Sequence, residues 1–131
     1  MPRAIYLVVG MVLGAIGAST ALVAPARAFA QDPVKLLPER FTILLENDRV
    51  RVAEYTSHPG DKQAMHSHPD GVVYYLTASK AKQIYPDGTA METTHKAGDA
   101  VWRAAVTHAT ENIGGTDTHY IAIELKECKE K

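Results

Sequence analysis

From Phe41 onward no stretch of this chain sustains a helical period, and that constrains the fold more than any other feature. Short runs rich in β-branched and aromatic residues alternate with turn signals instead. "FTILLEN" is apolar enough for a buried strand. "RVRVAEY" alternates, with Val50 and Val52 on one face and Arg49 and Arg51 on the other. "VVYYLT" has strand composition. "AKQIY" and "TAMETTH" flank a Pro-Asp-Gly hairpin signal. "AVWRA", "THATEN" and "HYIAIELK" follow, separated by "KAGD" and "IGGTD". In the last run His119, Ile121, Ile123 and Leu125 share one face. Many short strands at regular spacing predict an all-β sandwich or barrel. About a hundred residues bury one modest core, so pairing of two barrels would add stability.

The first thirty residues do not belong to this pattern. Arg3 precedes an uncharged stretch from Ile5 to Ala24, and "ARAFAQD" places Ala28 and Ala30 at the small-residue positions of a cleavage site. Residues 1–30 therefore read as a signal peptide cut before Gln31, and the protein as exported, periplasmic or secreted. An uncleaved segment of this length is just able to span a bilayer and is the only membrane link expected. Residues 31–40 form a proline-punctuated lead-in, and 41–131 a single domain. Without Arg3 and Arg27, 12 basic residues face 15 acidic ones, a formal charge of −3. No basic stripe is present, which excludes nucleic acid as the expected partner. The single cysteine, Cys128, cannot form an internal disulfide and reads as a free thiol, with an inter-chain cross-link as the alternative.

The chemistry concentrates in "MHSHPDGVVYY". On a strand His66 and His68 point to the same face. Two neutral imidazoles side by side suit a shared metal, although His-x-His alone fits an exposed polar pair better. A second histidine element, "KAGDAVWRAAVTHATEN", ends in His108 and Asn112.

Together the two elements resemble the paired motifs of the cupin superfamily. Gly60, five residues, then His66 and His68 match the first; Gly98, His108, three residues and Asn112 match the second. The resemblance spans nearly all of residues 31–131. It implies a single-domain jelly-roll β-barrel, commonly a homodimer, in which His66, His68 and His108 are metal ligands. Cupins include dioxygenases, isomerases, decarboxylases, lyases and plain binding proteins. The sequence departs from the pattern twice. The second motif is one residue short, with Ala104 where proline is common. The family's glutamate ligand is also missing, since Val72 and Val73 occupy its two possible positions.

Three neutral histidines leave a metal its full double charge, making it a stronger Lewis acid than a two-His, one-carboxylate site would. The donor set favours Zn, Cu, Fe or Ni over Mg or Ca. Asp70 is close enough in sequence to add a carboxylate but reads better as a turn residue. Glu111 is expected on the opposite, solvent face. Tyr74 and Tyr75 alternate, so one is expected inside as a substrate-orienting or proton-donating group. His119 is a candidate fourth ligand or acid–base residue on an apolar-faced strand. Trp102 is expected in the core or an interface, Arg103 at the surface or on a substrate carboxylate, His58 and His95 at the surface, and Asn112 as a brace.

Three functions compete on this reading. One is a metal-dependent oxygenase, isomerase or lyase acting on a small anionic or oxygen-rich molecule. A second is a non-catalytic module that binds a metal or small ligand. The third is a metal-free barrel with vestigial histidines, whose stability would not respond to chelators.

Overall fold

In the computed structural model, residues 31–127 are described, so the expected signal peptide, its cleavage site and Cys128 lie outside them. Nine strands follow one helical turn. They are β1 (Phe41–Glu46), β2 (Val50–Ser57), β3 (Lys62–His68), β4 (Gly71–Tyr75), β5 (Ser79–Ile84), β6 (Ala90–His95), β7 (Ala100–Arg103), β8 (Val106–Asn112) and β9 (Thr118–Leu125). The turn, α1 (Pro33–Leu36), sits in the lead-in and is too short to show a period. Asp32 caps it by accepting from the Val34 amide, and Pro33 occupies the first turn, where no amide donor is needed.

The strands form two sheets, β1-β2-β9-β4-β7 and β3-β8-β5-β6, and every strand pair is antiparallel. This is the all-β jelly-roll arrangement. The expected Pro-Asp-Gly hairpin joins β5 to β6, with Ser79 opposite His95 and Ile84 opposite Ala90. The glycines that open the two histidine elements have a backbone reason. Gly60 and Gly98 sit in turns at φ 86° and 90°, where a side chain would be strained.

The faces of the sheets are the reverse of what hydrophobicity suggests. On β9 the inward residues are Thr118, Tyr120, Ala122 and Glu124, while Ile121 and Ile123 face outward. On β2 the small residue Ala53 points inward with Tyr55 and Ser57, which turns Val52 outward and Arg51 inward. Ala53 and Ala122 are cross-strand partners on the inner face of the five-stranded sheet, each 2 % exposed. An apolar row is left on the outside of the five-stranded sheet. Leu45, Val52, Ile123, Val72 and Trp102 are register partners across all five strands, and Trp102 is 58 % exposed. Trp102 is therefore not a core residue.

The apolar core is small and sits at one end. Phe41, Ala53 and Tyr55 pack with Val34, Leu37 and Tyr120, and the Phe41 and Tyr55 rings lie 4.8 Å apart. Elsewhere the buried side chains are mostly polar, among them Ser57, Gln63, Ser79, Asn112 and Thr118. A barrel filled this way holds a site rather than a core.

Candidate metal centre

His66 and His68 come from β3, and His108 comes from β8 directly opposite His66 in the ladder. A bulge in β3 between Gln63 and His66 shifts the alternation, so that Gln63, His66 and His68 all point inward. The three histidines are 1 %, 5 % and 5 % exposed. Their rings form a triangle with centroids 4.8, 4.8 and 5.5 Å apart, and one nitrogen from each lies within 4.8 Å of the others.

Each ring has one nitrogen tied to an oxygen acceptor. His66 Nδ1–H donates to the Ala64 carbonyl at 2.7 Å, His68 Nδ1–H to Glu124 at 2.6 Å, and His108 Nδ1–H to Gln83 Oε1 at 3.1 Å. The three acceptors fix the tautomer, leaving each Nε2 with a free lone pair. His66 Nε2 is buried and has no hydrogen-bond partner. An orphaned buried acceptor beside two similar nitrogens is costly in a metal-free protein and natural in a metal site.

Burial and mutual repulsion keep the rings neutral. Burial holds His66 below its usual pKa. It lowers His68 to about 4 despite the neighbouring carboxylate, and it lowers His108 to about 3 with help from the other two rings and Arg103. At neutral pH the His68–Glu124 contact is thus an imidazole N–H donating to a carboxylate, not an ion pair.

Glu124 is the residue that sequence reading missed. It is 4 % exposed and lies opposite Gly71 in the β4–β9 ladder. Besides His68 it accepts from Arg51 Nε and Nη2 at 2.9 and 2.6 Å, and from Arg103 Nη2 at 3.1 Å. Arg51 in turn grips Asp32 through two bonds of 2.7 and 3.0 Å. Burial alone would raise the Glu124 pKa, but the bonds from His68 and Arg51 outweigh it and pull the carboxyl down to about 2. So the carboxylate absent after His68 has a counterpart on β9, one hydrogen bond behind the ligand. It does not neutralise a metal on balance, because Asp32 and Glu124 are matched by Arg51 and Arg103.

The other sequence candidates separate cleanly. Tyr75 points inward and is half-buried, with desolvation pushing its hydroxyl up to about 12; Tyr74 is 42 % exposed on the outer face. His119 lies on the outer face of β9, where Nε2 meets Glu54 at 2.6 Å, so the expectation that it faces the metal is corrected. The cause is strand alternation, since Glu124 and Tyr120 occupy the inward phase of β9. Asp70 is a turn residue that accepts from the Ala105 amide at 2.6 Å. Arg103, expected at the surface, is half-buried in the wall of the site. Glu111 is half-buried rather than exposed and pairs with Lys62 at 3.7 Å. His58 is exposed beside Asp117, as expected, but His95 stacks on Tyr75 at 4.3 Å. Asn112 does brace a loop: its amide donates to Ser57 and Thr116 carbonyls and its oxygen accepts from the Gly114 amide.

Space adjoins the histidines. An inner cavity of about 80 Å3 is lined by His68, His108, Arg103 and Tyr75, and a wider one of about 390 Å3 lies toward β6 and β7.

No family sequence model and no curated protein matches the chain. Solved structures do. A cupin domain from Bordetella pertussis Tohama I is 28 % identical, with a TM-score of 0.61 over 66 % of this chain and 92 % of that one. A conserved protein with a double-stranded β-helix domain from Klebsiella pneumoniae is 21 % identical, with a TM-score of 0.51 over 67 % and 84 %. The polyketide cyclase RemF from Streptomyces resistomycificus is 20 % identical, with a TM-score of 0.50 over 66 % and 64 %.

Proposed function

As this chain is a member of the cupin superfamily, we propose that it is a metal-dependent enzyme acting on a small anionic or oxygen-rich molecule. The observation that carries the reading is the set of three buried histidines whose Nδ1 atoms are all engaged, leaving Nε2 of His66 without a partner. His66, His68 and His108 would hold a divalent Zn, Cu, Fe or Ni ion, which supplies Lewis acidity and open coordination positions.

The chain's own groups have separable tasks. Glu124 orients His68, and Gln83 orients His108. Arg103 presents positive charge to a bound anion. Tyr75, with its pKa raised by burial, stays protonated and serves as a hydrogen-bond donor rather than a base.

A second reading is favoured by one specific observation. With Tyr74 and His119 on the outer face, the described residues that line the cavity offer only Glu111, paired with Lys62, and a firmly protonated Tyr75 for proton transfer. A non-catalytic module binding a metal or small ligand fits that scarcity. Export to the periplasm or medium belongs to the same proposal and rests on the composition of residues 1–30; an intact mass beginning at Gln31 would support it. A homodimer is supported by the exposed row from Leu45 to Trp102.

The test is metal analysis by mass spectrometry on protein purified from its native host, beside a His66→Ala/His68→Ala variant. One transition-metal ion per chain, lost in the variant, is expected. No metal in either protein and no uptake on addition would overturn the reading. Turnover by the loaded protein, abolished in His108→Ala, separates the enzyme from the binding module.

A further inference from the structure

The two cavities beside the histidines differ in size and in chemistry, and they share a wall. The inner one, about 80 Å3, is bounded by Glu111 and by neutral polar groups including Ser57, Gln63, Ser79, Asn112 and Thr118. It has room for a head group of a few heavy atoms. The outer one, about 390 Å3, falls within the range of ordinary small-ligand pockets, roughly 300–1,000 Å3. Its walls are largely apolar, with Met91, Val101, Trp102, Ala105 and Val106, and no aspartate or glutamate lines it. Arg103, His108, Gln83 and Tyr75 line both chambers, so the histidine centre meets the apolar chamber at this junction.

Charge is concentrated at the junction. Arg51 is gripped by both Asp32 and Glu124. Arg103 has one contact, to a Glu124 oxygen already shared with His68, and its Nε–H is buried without a partner. The four charges cancel, so a divalent ion on the histidines would leave the junction net positive. The flat stack of His95 on Tyr75, with planes 16° apart, forms part of the outer wall and suits an aromatic ring.

We infer that the site takes an amphipathic carboxylate, its anionic head at Arg103 and His108 and an aryl body in the outer chamber between β6 and β7. A small hydrophilic anion would leave the apolar walls wet, and a bare apolar molecule would leave the Arg103 Nε–H without an acceptor. The inference rests on the proposed metal centre and narrows its substrate class.

Zinc-loaded full-length protein, with zinc content measured first, is titrated calorimetrically with propionate, 3-phenylpropionate and 3-phenylpropionamide. The phenyl acid is expected to bind about tenfold or more tighter than propionate, because the ring leaves water. It should also bind tighter than the uncharged amide. Ala105→Trp, which fills the outer chamber from an exposed position, should erase the ring's advantage and leave zinc content and propionate affinity unchanged. Equal affinities for the phenyl acid and propionate, or for the acid and the amide, overturn the inference while the metal reading stands. Affinity for the ring that falls as the protein is concentrated assigns the outer chamber to a second copy and also overturns it. Failure to load zinc overturns the metal reading and this inference with it.

Discussion

Replacing Glu124 by glutamine keeps the shape of the side chain and removes its charge, which isolates what that charge does. The carboxylate accepts four bonds, from His68, twice from Arg51 and from Arg103. An amide cannot satisfy them. If its oxygen faces His68, its NH2 group confronts the arginines; if turned over, it donates to His68 Nδ1 and forces the proton onto Nε2, where a metal would bind. Two routes give the cost. The depression of the carboxyl from 4.5 to about 2 corresponds to roughly 3 kcal/mol at about 1.4 kcal/mol per unit. Removing one partner from a buried ion pair costs about 3–5 kcal/mol. The metal-free Glu124→Gln protein should therefore lose about 3 kcal/mol at pH 7 in urea unfolding followed by far-ultraviolet circular dichroism. Metal affinity, read by competition with a chromophoric chelator, should fall about 10–100-fold, as loss of a ligand's outer partner commonly produces. An apo stability within about 1 kcal/mol of wild type, together with unchanged metal affinity, would refute the claim that Glu124 orients His68.

Two further outcomes follow from the same geometry. The folded-state pKa of His68 lies at about 4 and that of His108 at about 3, both below the ordinary 6.5, so the unfolded chain binds protons first as pH falls. Apo stability should be fully present above about 6.5 and decline toward pH 4, by roughly 3 kcal/mol for His68 alone; a flat profile over that window, measured by urea midpoints, would count against buried neutral rings. Gly71→Ala places a Cβ 2.2 Å from the Ile123 carbonyl oxygen, a backbone atom that cannot swing away. β4 and β9 must then separate at the Gly71–Glu124 pair, with an expected loss of about 1–3 kcal/mol and weakened metal uptake, whereas wild-type uptake would show that the strands give without disturbing Glu124.

How legible this site was depended on how local each signal is. His66 and His68 announce themselves by spacing two apart on one strand, and Gly60 and Gly98 by turns that need positive φ. The fold follows from the same punctuation. Alternation also placed Arg51 opposite Val50 and Val52, but a period of two cannot say which face is inside. Here the apolar faces of β2, β7 and β9 turn outward, because Ala53, Ala122 and the polar side chains of the site hold the inward phase. That inversion misplaced His119, Trp102 and Arg103 together. Glu124 was illegible for a different reason. It lies 56 positions from His68 and reaches it only through contact between the two sheets, a relation no local motif records.

The direct pairing of His66 with His108 has a consequence for how the chain folds. The two ligands come from strands about forty residues apart, joined only after β4 to β7 have been laid down. A slip of one residue between β3 and β8 would send one ligand to the far side of its sheet, so only the native register assembles all three nitrogens. An ion captured there would act as a reversible staple closing that loop, adding its binding energy to one pairing and to none of its neighbours.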